Sequence, residues 1–207
     1  LLLCAHHLVV DGVSWRILCE DLMAAYGRAS RGEGIRLPEK TAHFGAWLQA
    51  LEEYAPRAQA RELAYWERLC REGAECPDPG EDTGLTWGYD RAAVGLDEKR
   101  TRLLLREAGN AYNTEIGDLL VCALGFAAET LGVEKICVSM ESHGRQELHR
   151  PVETDRTVGW FTSVYPVVVP CAGEMAKRMI GAKEALGRTP GNGIGYGLWA
   201  EQMPRVQ

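Results

Sequence analysis

Apolar and polar positions follow two rhythms along this chain, and the switches between them predict its elements. Residues 1–10 are apolar apart from a His-His pair and end at the turn pair Asp11-Gly12, which predicts a buried strand. Beyond the turn, Trp15, Leu18, Leu22 and Ala25 recur at helical spacing and make one apolar stripe of a helix over 13–29. Residues 30–39 hold Gly, Arg and Pro and read as a loop. Thr41 stands where a cap belongs for a helix over 41–54, with Phe44, Trp47, Leu48 and Leu51 on one side. Pro56 separates it from a further helix over 57–71 that carries Leu63, Trp66 and Leu69.

Residues 73–88 combine Pro77, Pro79, glycines and acids and form the best linker candidate. A strand is expected over 89–96, then a helix capped by Asp97 and running to about 108. Thr114-Glu115-Ile116-Gly117-Asp118 opens a long helix that Gly132 ends. Residues 134–140 form a strand pointing at Glu141; residues 164–169 form another; residues 173–186 form a helix; and 191–197 is a glycine-rich loop. The alternation of strands and helices implies mixed α/β layers.

Composition narrows the function classes. The chain has 207 residues, which suits one large domain or two small ones, and 46% are hydrophobic, enough for a core. Its net charge of −6 argues against a general binder of nucleic acid or anionic membranes. No apolar run approaches the ~18 residues of a membrane span, and the first five residues lack the basic start of a signal peptide. The 7 cysteines are odd in number and form no C-x-x-C pair. They read as reduced thiols in a cytoplasmic protein, without a disulfide framework, and no metal site is expected. The chain starts inside an apolar run without Met, so it reads as a piece of a longer polypeptide.

Two stretches carry candidate chemistry. In the first, His6 and His7 would point to opposite faces of a strand, so only one enters a given cavity; chain direction alone leaves open which. Asp11 behind them suits a loop held by hydrogen bonds or an ion pair, and Gly12 permits a sharp turn. In the second, Glu141 follows an apolar strand and has the chemistry of a general acid or base. The plain alternative is a surface glutamate paired with Arg145. His143-Gly144-Arg145 read as a positioning turn. A third stretch, Arg156-Thr157-Val158-Gly159-Trp160-Phe161-Thr162-Ser163-Val164-Tyr165-Pro166, holds bulky aromatics and no nucleophile beside a base. Residues 191–197 contain G-x-G-x-G but not the strand-to-helix context of a dinucleotide site.

In order, these stretches resemble the epimerization branch of the condensation-like domains of nonribosomal peptide synthetases. His6-His7-Leu8-Val9-Val10-Asp11-Gly12 matches H-H-x-x-x-D-G, and Val13-Ser14-Trp15-Arg16-Ile17-Leu18 continues it in the epimerization manner. Residues 41–55 look like the helix that follows it. Glu141-Ser142-His143-Gly144-Arg145-Gln146 is similar to E-G-H-G-R-E, departing at Ser142 and Gln146. Residues 156–166 resemble R-T-V-G-W-F-T-S-x-Y-P, and residues 188–197 the later P-x-x-G-I-G-Y-G element.

The resemblance implies an α/β fold of two chloramphenicol-acetyltransferase-like lobes, present in part. Residues 1–75 would close the N-terminal lobe, 76–88 would be the linker and 89–207 an incomplete C-terminal lobe. It implies inversion of the α-carbon of an aminoacyl or peptidyl thioester, with His7 and Glu141 as the catalytic pair. His6, Asp11, Gly12, Ser14, Trp15, His143, Gly144 and Arg145 would support them, and Trp160, Phe161, Thr162, Ser163 and Tyr165 would line the substrate tunnel. No cofactor is bound directly: the 4'-phosphopantetheine arm of a carrier protein delivers the substrate. Adjacent adenylation and condensation domains are the other partners, with neither nucleic acid nor membrane. A condensation catalyst that needs His7 but not Glu141, and a degenerate docking domain, are the alternatives. With parts of both lobes outside it, the 207-residue piece is expected to be inactive alone.

Overall fold

The computed structural model describes residues 1–77 and 93–199. Residues 1–10 do not form the expected buried strand. They carry a single 3-10 turn, His7–Val9, between extended His6 and Val10, and all but Val10 are exposed. A strand needs a ladder partner for its N–H and C=O groups, and among the described residues no strand lies beside this run.

Helix α1, Gly12–Ser30, follows as expected. Its inward face is not the Trp15–Leu18–Leu22–Ala25 stripe, however. Ser14 and Ile17 are its buried residues, while Leu22 is 39% exposed. Ser14 turns inward because it has hydrogen-bond partners there, described below.

Helix α2 is one helix, Phe44–Ala74, with Pro56 inside it, so the predicted break is absent. The reason lies in the phase of the helix. Trp47, Ala50, Tyr54, Ala58, Glu62, Trp66 and Leu69 repeat every three or four residues along one face, all of them buried except the half-buried Tyr54. Pro56 sits on the opposite, exposed side. Glu52, whose carbonyl would have accepted the missing N–H, is an exposed residue, and burial of the other face outweighs the proline's cost. Thr41 does not cap this helix; the His43 Nδ1 accepts the Ala46 N–H at 3.1 Å instead. The Thr41 hydroxyl accepts the Arg156 N–H at 3.1 Å and lies 3.0 Å from the Thr157 hydroxyl.

Residues 78–88 of the expected linker and 89–92 of the expected strand lie outside the described residues; 93–96 carry no strand. Helix α3, Glu98–Arg106, is capped by Asp97 as predicted, its carboxylate accepting the Arg100 N–H at 2.7 Å. Helix α4, Ile116–Glu129, begins with a reciprocal box in which the Glu115 N–H meets the Asp118 carboxylate at 2.9 Å. Helix α5, Met175–Gly187, packs against α4. There the buried Arg178 donates to Glu129 at 2.8 Å and lies over the Phe126 ring.

Strands β1, Lys135–Ser142, and β2, Ser163–Pro170, form a two-stranded sheet. The predicted glycine-rich loop begins with left-handed backbone, φ being +51° at Gly191, +47° at Asn192 and +78° at Gly193, and then closes into one helical turn, α6, Ile194–Gly197.

The residues group into two compact units, neither continuous in sequence. One holds Leu1–Trp66, Met140–Tyr165 and the described residues from Pro190; the other holds Glu67–Ser139 and Pro166–Thr189. In the first unit Trp47, Phe161 and Ile194 form a core, with Phe44, Leu51, Tyr54, Leu148 and Val152 against it. Every motif singled out above lies in this unit, apart from the first five residues of β1, the last residue of the Arg156–Pro166 stretch and the first two of the 188–197 element.

Candidate functional site

Asp11 joins the motifs. As the N-cap of α1 it accepts the Ser14 N–H at 2.7 Å, and it is 2% exposed. The same carboxylate accepts the Phe161 N–H at 3.2 Å and pairs with Arg145 Nη2 at 3.2 and 3.3 Å. The Ser14 hydroxyl donates to the Gly159 carbonyl at 2.8 Å and accepts the Gly159 N–H at 3.0 Å and Arg145 Nη2 at 3.2 Å. Arg145 Nη1 donates to the Thr154 and Thr157 carbonyls at 2.7 and 2.9 Å. The guanidinium carbon lies 3.7 Å from the centre of the Phe161 ring. Three segments distant in sequence are thus tied through one buried ion pair, because neither charge is tolerable there without the other.

The ion pair also sets the charge state of Asp11. Burial alone would push its carboxyl up, but the Ser14 side-chain and backbone hydrogen bonds, the Phe161 N–H and the Arg145 guanidinium together hold it below its ordinary value. The Asp11 expectation is met in both its forms, hydrogen bonds and an ion pair. Arg145 belongs to this knot, so Glu141 is not its surface partner.

Gly144 is demanded by the same knot. Its φ of +68° favours glycine, and a Cβ there would lie 1.6 Å from the Phe161 carbonyl oxygen. The turn that aims Arg145 therefore closes directly on the Phe161 backbone. His143 is exposed, and its Nδ1 accepts the Arg145 N–H at 3.0 Å.

Burial alternates from residue 160 to 165. Phe161, Ser163 and Tyr165 are buried, whereas Trp160 and Val164 are exposed and Thr162 half-buried. Two cavities meet along this segment. A cleft of ≈ 320 Å³ is lined by Asp11, Gly12, Val13, Glu141, Ser142, His143 and Thr162. An apolar cavity of ≈ 460 Å³ is lined by Trp160, Phe161, Thr162, Ser163 and Val164 together with residues of α2 and α6. Thr162 borders both.

The structure therefore brings Glu141 together with Asp11, Gly12, His143 and Thr162. His7 is exposed and does not line that cleft; its ring stands edge-on to Trp160, centroids 6.4 Å apart. His6 is exposed, its Nδ1 accepting the Leu8 N–H at 3.1 Å, which caps the short turn. Since residues 6–9 are no strand, the opposite-face argument for the two histidines does not apply. Trp15 is half-buried on α1. Of the tunnel candidates, Trp160, Phe161, Thr162 and Ser163 border the apolar cavity. Tyr165 points inward and packs against Trp66 instead.

The sequence reasoning missed a second buried cluster. The Glu62 carboxylate, 5% exposed, accepts the Tyr54 hydroxyl at 2.6 Å and the Trp66 indole N–H at 3.1 Å. Burial, then the hydrogen bond to Glu62 and its charge, push the Tyr54 hydroxyl strongly up. Its signal was available: Tyr54, Ala58, Glu62 and Trp66 are spaced by four, which places the glutamate on the buried face of a continuous α2.

The chain is 41% identical over 206 residues to tyrocidine synthase 1 of Brevibacillus parabrevis, covering 96% of the chain and 19% of that protein. It is 40% identical over 204 residues to bacitracin synthase 3 of Bacillus licheniformis, covering 96% of the chain and 3% of that protein. The chain thus spans a small part of these relatives. Among solved structures, the epimerization domain from the third module of tyrocidine synthetase B superposes with a TM-score of 0.79 at 35% identity, over 98% of this chain and 47% of that one. The first condensation domain of the calcium-dependent antibiotic synthetase has the same fold, with a TM-score of 0.74 at 23% identity, over 97% of this chain and 45% of that one. The family model described as "Condensation domain" matches residues 1–204. With that match, and with its signature residues knotted around Asp11 and Arg145, this chain is a partial condensation-domain fold and belongs to the condensation-domain family.

Proposed function

We propose that this chain is part of an epimerization domain that inverts the α-carbon of an aminoacyl or peptidyl thioester held on a carrier protein during nonribosomal peptide synthesis. The observation that carries the reading is the segment from Arg156 to Pro166. Its backbone is locked to Asp11 and Ser14 through Phe161 and Gly159, which presents Thr162 to the Glu141 cleft and Trp160 to His7. The 35% identity to a solved epimerization domain supports the same choice.

The chemistry follows from the substrate. The thioester carbonyl acidifies the α-hydrogen. A base takes that proton, the electron pair moves onto the carbonyl oxygen as an enolate, and a proton delivered to the opposite face restores the carbon with inverted configuration. Two groups are needed, one per face, and each positioned acid or base contributes about 10²–10⁴-fold. His7 and Glu141 are assigned these roles. The phosphopantetheine arm of the carrier delivers the substrate, and adenylation and condensation domains are the neighbours in the synthetase.

The test uses the full-length parent with its loaded carrier and reads the configuration of the bound amino acid. Inversion that His7→Ala and Glu141→Gln each abolish supports the assignment. Peptide-bond formation without inversion, dependent on His7 alone, makes the domain a condensation catalyst. Neither activity, with the carrier still bound, makes it a docking domain.

A further inference from the structure

We propose that the apolar cavity beside Thr162 receives the side chain of the amino acid being inverted, so that this domain selects substrates with a large aliphatic or aromatic side chain. The inference rests on the epimerization reading and goes further, to the class of substrate.

Three observations carry it. First, the cavity of ≈ 460 Å³ adjoins the cleft of Glu141, with Thr162 bordering both. A substrate whose α-carbon stands at Thr162 borders the cleft that Glu141 lines and the apolar chamber. The volume falls in the range of small-molecule sites, about 300–1,000 Å³.

Second, the lining is apolar. Phe44, Trp47 and Leu51 from α2 face Phe161 and Ile194, and among the described residues no charged side chain borders the space. The Ser163 hydroxyl is already committed, donating to the Asn192 carbonyl at 2.9 Å. A charged substrate side chain entering here would lose its water and find no counter-charge.

Third, the inner wall is preformed, with Leu48, Trp160 and Val164 at its exposed rim. Trp47, Phe161 and Ile194 are 2%, 4% and 7% exposed. The α6 wall is pinned from behind: a Cβ on Gly195 would lie 2.1 Å from the Glu62 Oε2, and that carboxylate is itself held by Tyr54 and Trp66. The chamber does not have to be assembled by the ligand, which preserves the gain from filling it.

The experiment offers the full-length parent its carrier loaded with phenylalanine, leucine, alanine or aspartate and reads α-carbon inversion by chiral analysis. We expect phenylalanine and leucine to be inverted with kcat/KM about 10–200-fold above alanine, the discrimination typical of apolar pockets, and aspartate below alanine. Leu48 lines the cavity and is 45% exposed, so Leu48→Glu brings a charge to it without burying one in the fold. That variant should reduce the phenylalanine-to-alanine ratio at least tenfold, a ratio read within one protein and therefore independent of its yield. Equal rates for phenylalanine, leucine and alanine, or an unchanged ratio in Leu48→Glu, would overturn the cavity assignment while leaving epimerization standing. Absence of inversion for all four amino acids would overturn both.

Discussion

Replacing Asp11 by alanine tests whether this carboxylate holds the architecture or takes part in the chemistry. Three losses coincide in Asp11→Ala. The first turn of α1 loses its cap, typically worth about 1 kcal/mol. The Phe161 N–H loses its acceptor in a buried position. Arg145, whose side chain is 7% exposed, keeps its charge with no carboxylate beside it. Removing one partner of a buried ion pair costs about 3–5 kcal/mol. Against a typical domain stability of about 5–15 kcal/mol, that is a large share. Asp11→Asn keeps an acceptor for the cap and loses the charge, so we expect a smaller loss, about 1.5–3 kcal/mol. The assay is urea unfolding of the complete domain, with the midpoint moving and the slope unchanged. Activity should fall with the folded fraction. A variant that unfolds at the wild-type midpoint yet has lost inversion would refute the architectural role, as would a cost for Asp11→Ala below about 1 kcal/mol.

The other expectations are more direct. Because the folded Asp11 carboxyl lies below its unfolded value of about 3.9, the stability it contributes is present at neutral pH and is lost as the pH falls from near 4 through the folded value; Asp11→Asn should flatten that part of the stability profile. Gly144→Ala should give insoluble or unfolded protein, since its Cβ would collide with the Phe161 carbonyl and its φ is +68°; a soluble variant with wild-type circular dichroism would contradict the close approach. Pro56→Ala should raise stability by about 1–3 kcal/mol, because an exposed helix-interior position regains its N–H bond, and a lowered urea midpoint would show that the proline is needed. Glu141→Gln should remove inversion but leave one-sided exchange of the α-hydrogen with deuterated solvent; normal D product from this variant would exclude Glu141 as one of the two groups.

Local signals in the sequence were reliable wherever the deciding contacts are also local. Asp97 and the Glu115–Asp118 box mark the starts of α3 and α4 because a cap binds an N–H within three residues of itself. The turn around Gly144 was legible for the same reason, whereas Asp11 and Gly12, expected as a turn, cap and open α1. The ordered motifs also carried the family, since each records a short pattern of residue types.

What escaped the sequence depends on partners far along the chain. The run Leu1–Val10 has strand composition, but composition supplies no ladder partner, and the run is left exposed. Pro56 carries the local signal of a helix break, but the apolar stripe from Trp47 to Leu69 passes through it, and burial of that face decides. On α1 the apolar stripe yields to Ser14, because Gly159 and Arg145, more than a hundred residues away, satisfy its hydroxyl in the interior. Arg145 was legible as a positioning residue, yet its partner could equally have been Glu141; only packing, which buries Asp11 and leaves Glu141 in an open cleft, settled the pairing. The sequence by itself therefore determined the Asp97 cap, the start of α4, the Gly144 turn, the family and the candidate residues, all written in neighbouring positions. The tertiary structure decided which faces turn inward, which charges pair and which cavity adjoins Thr162, because burial and desolvation are properties of the packed chain.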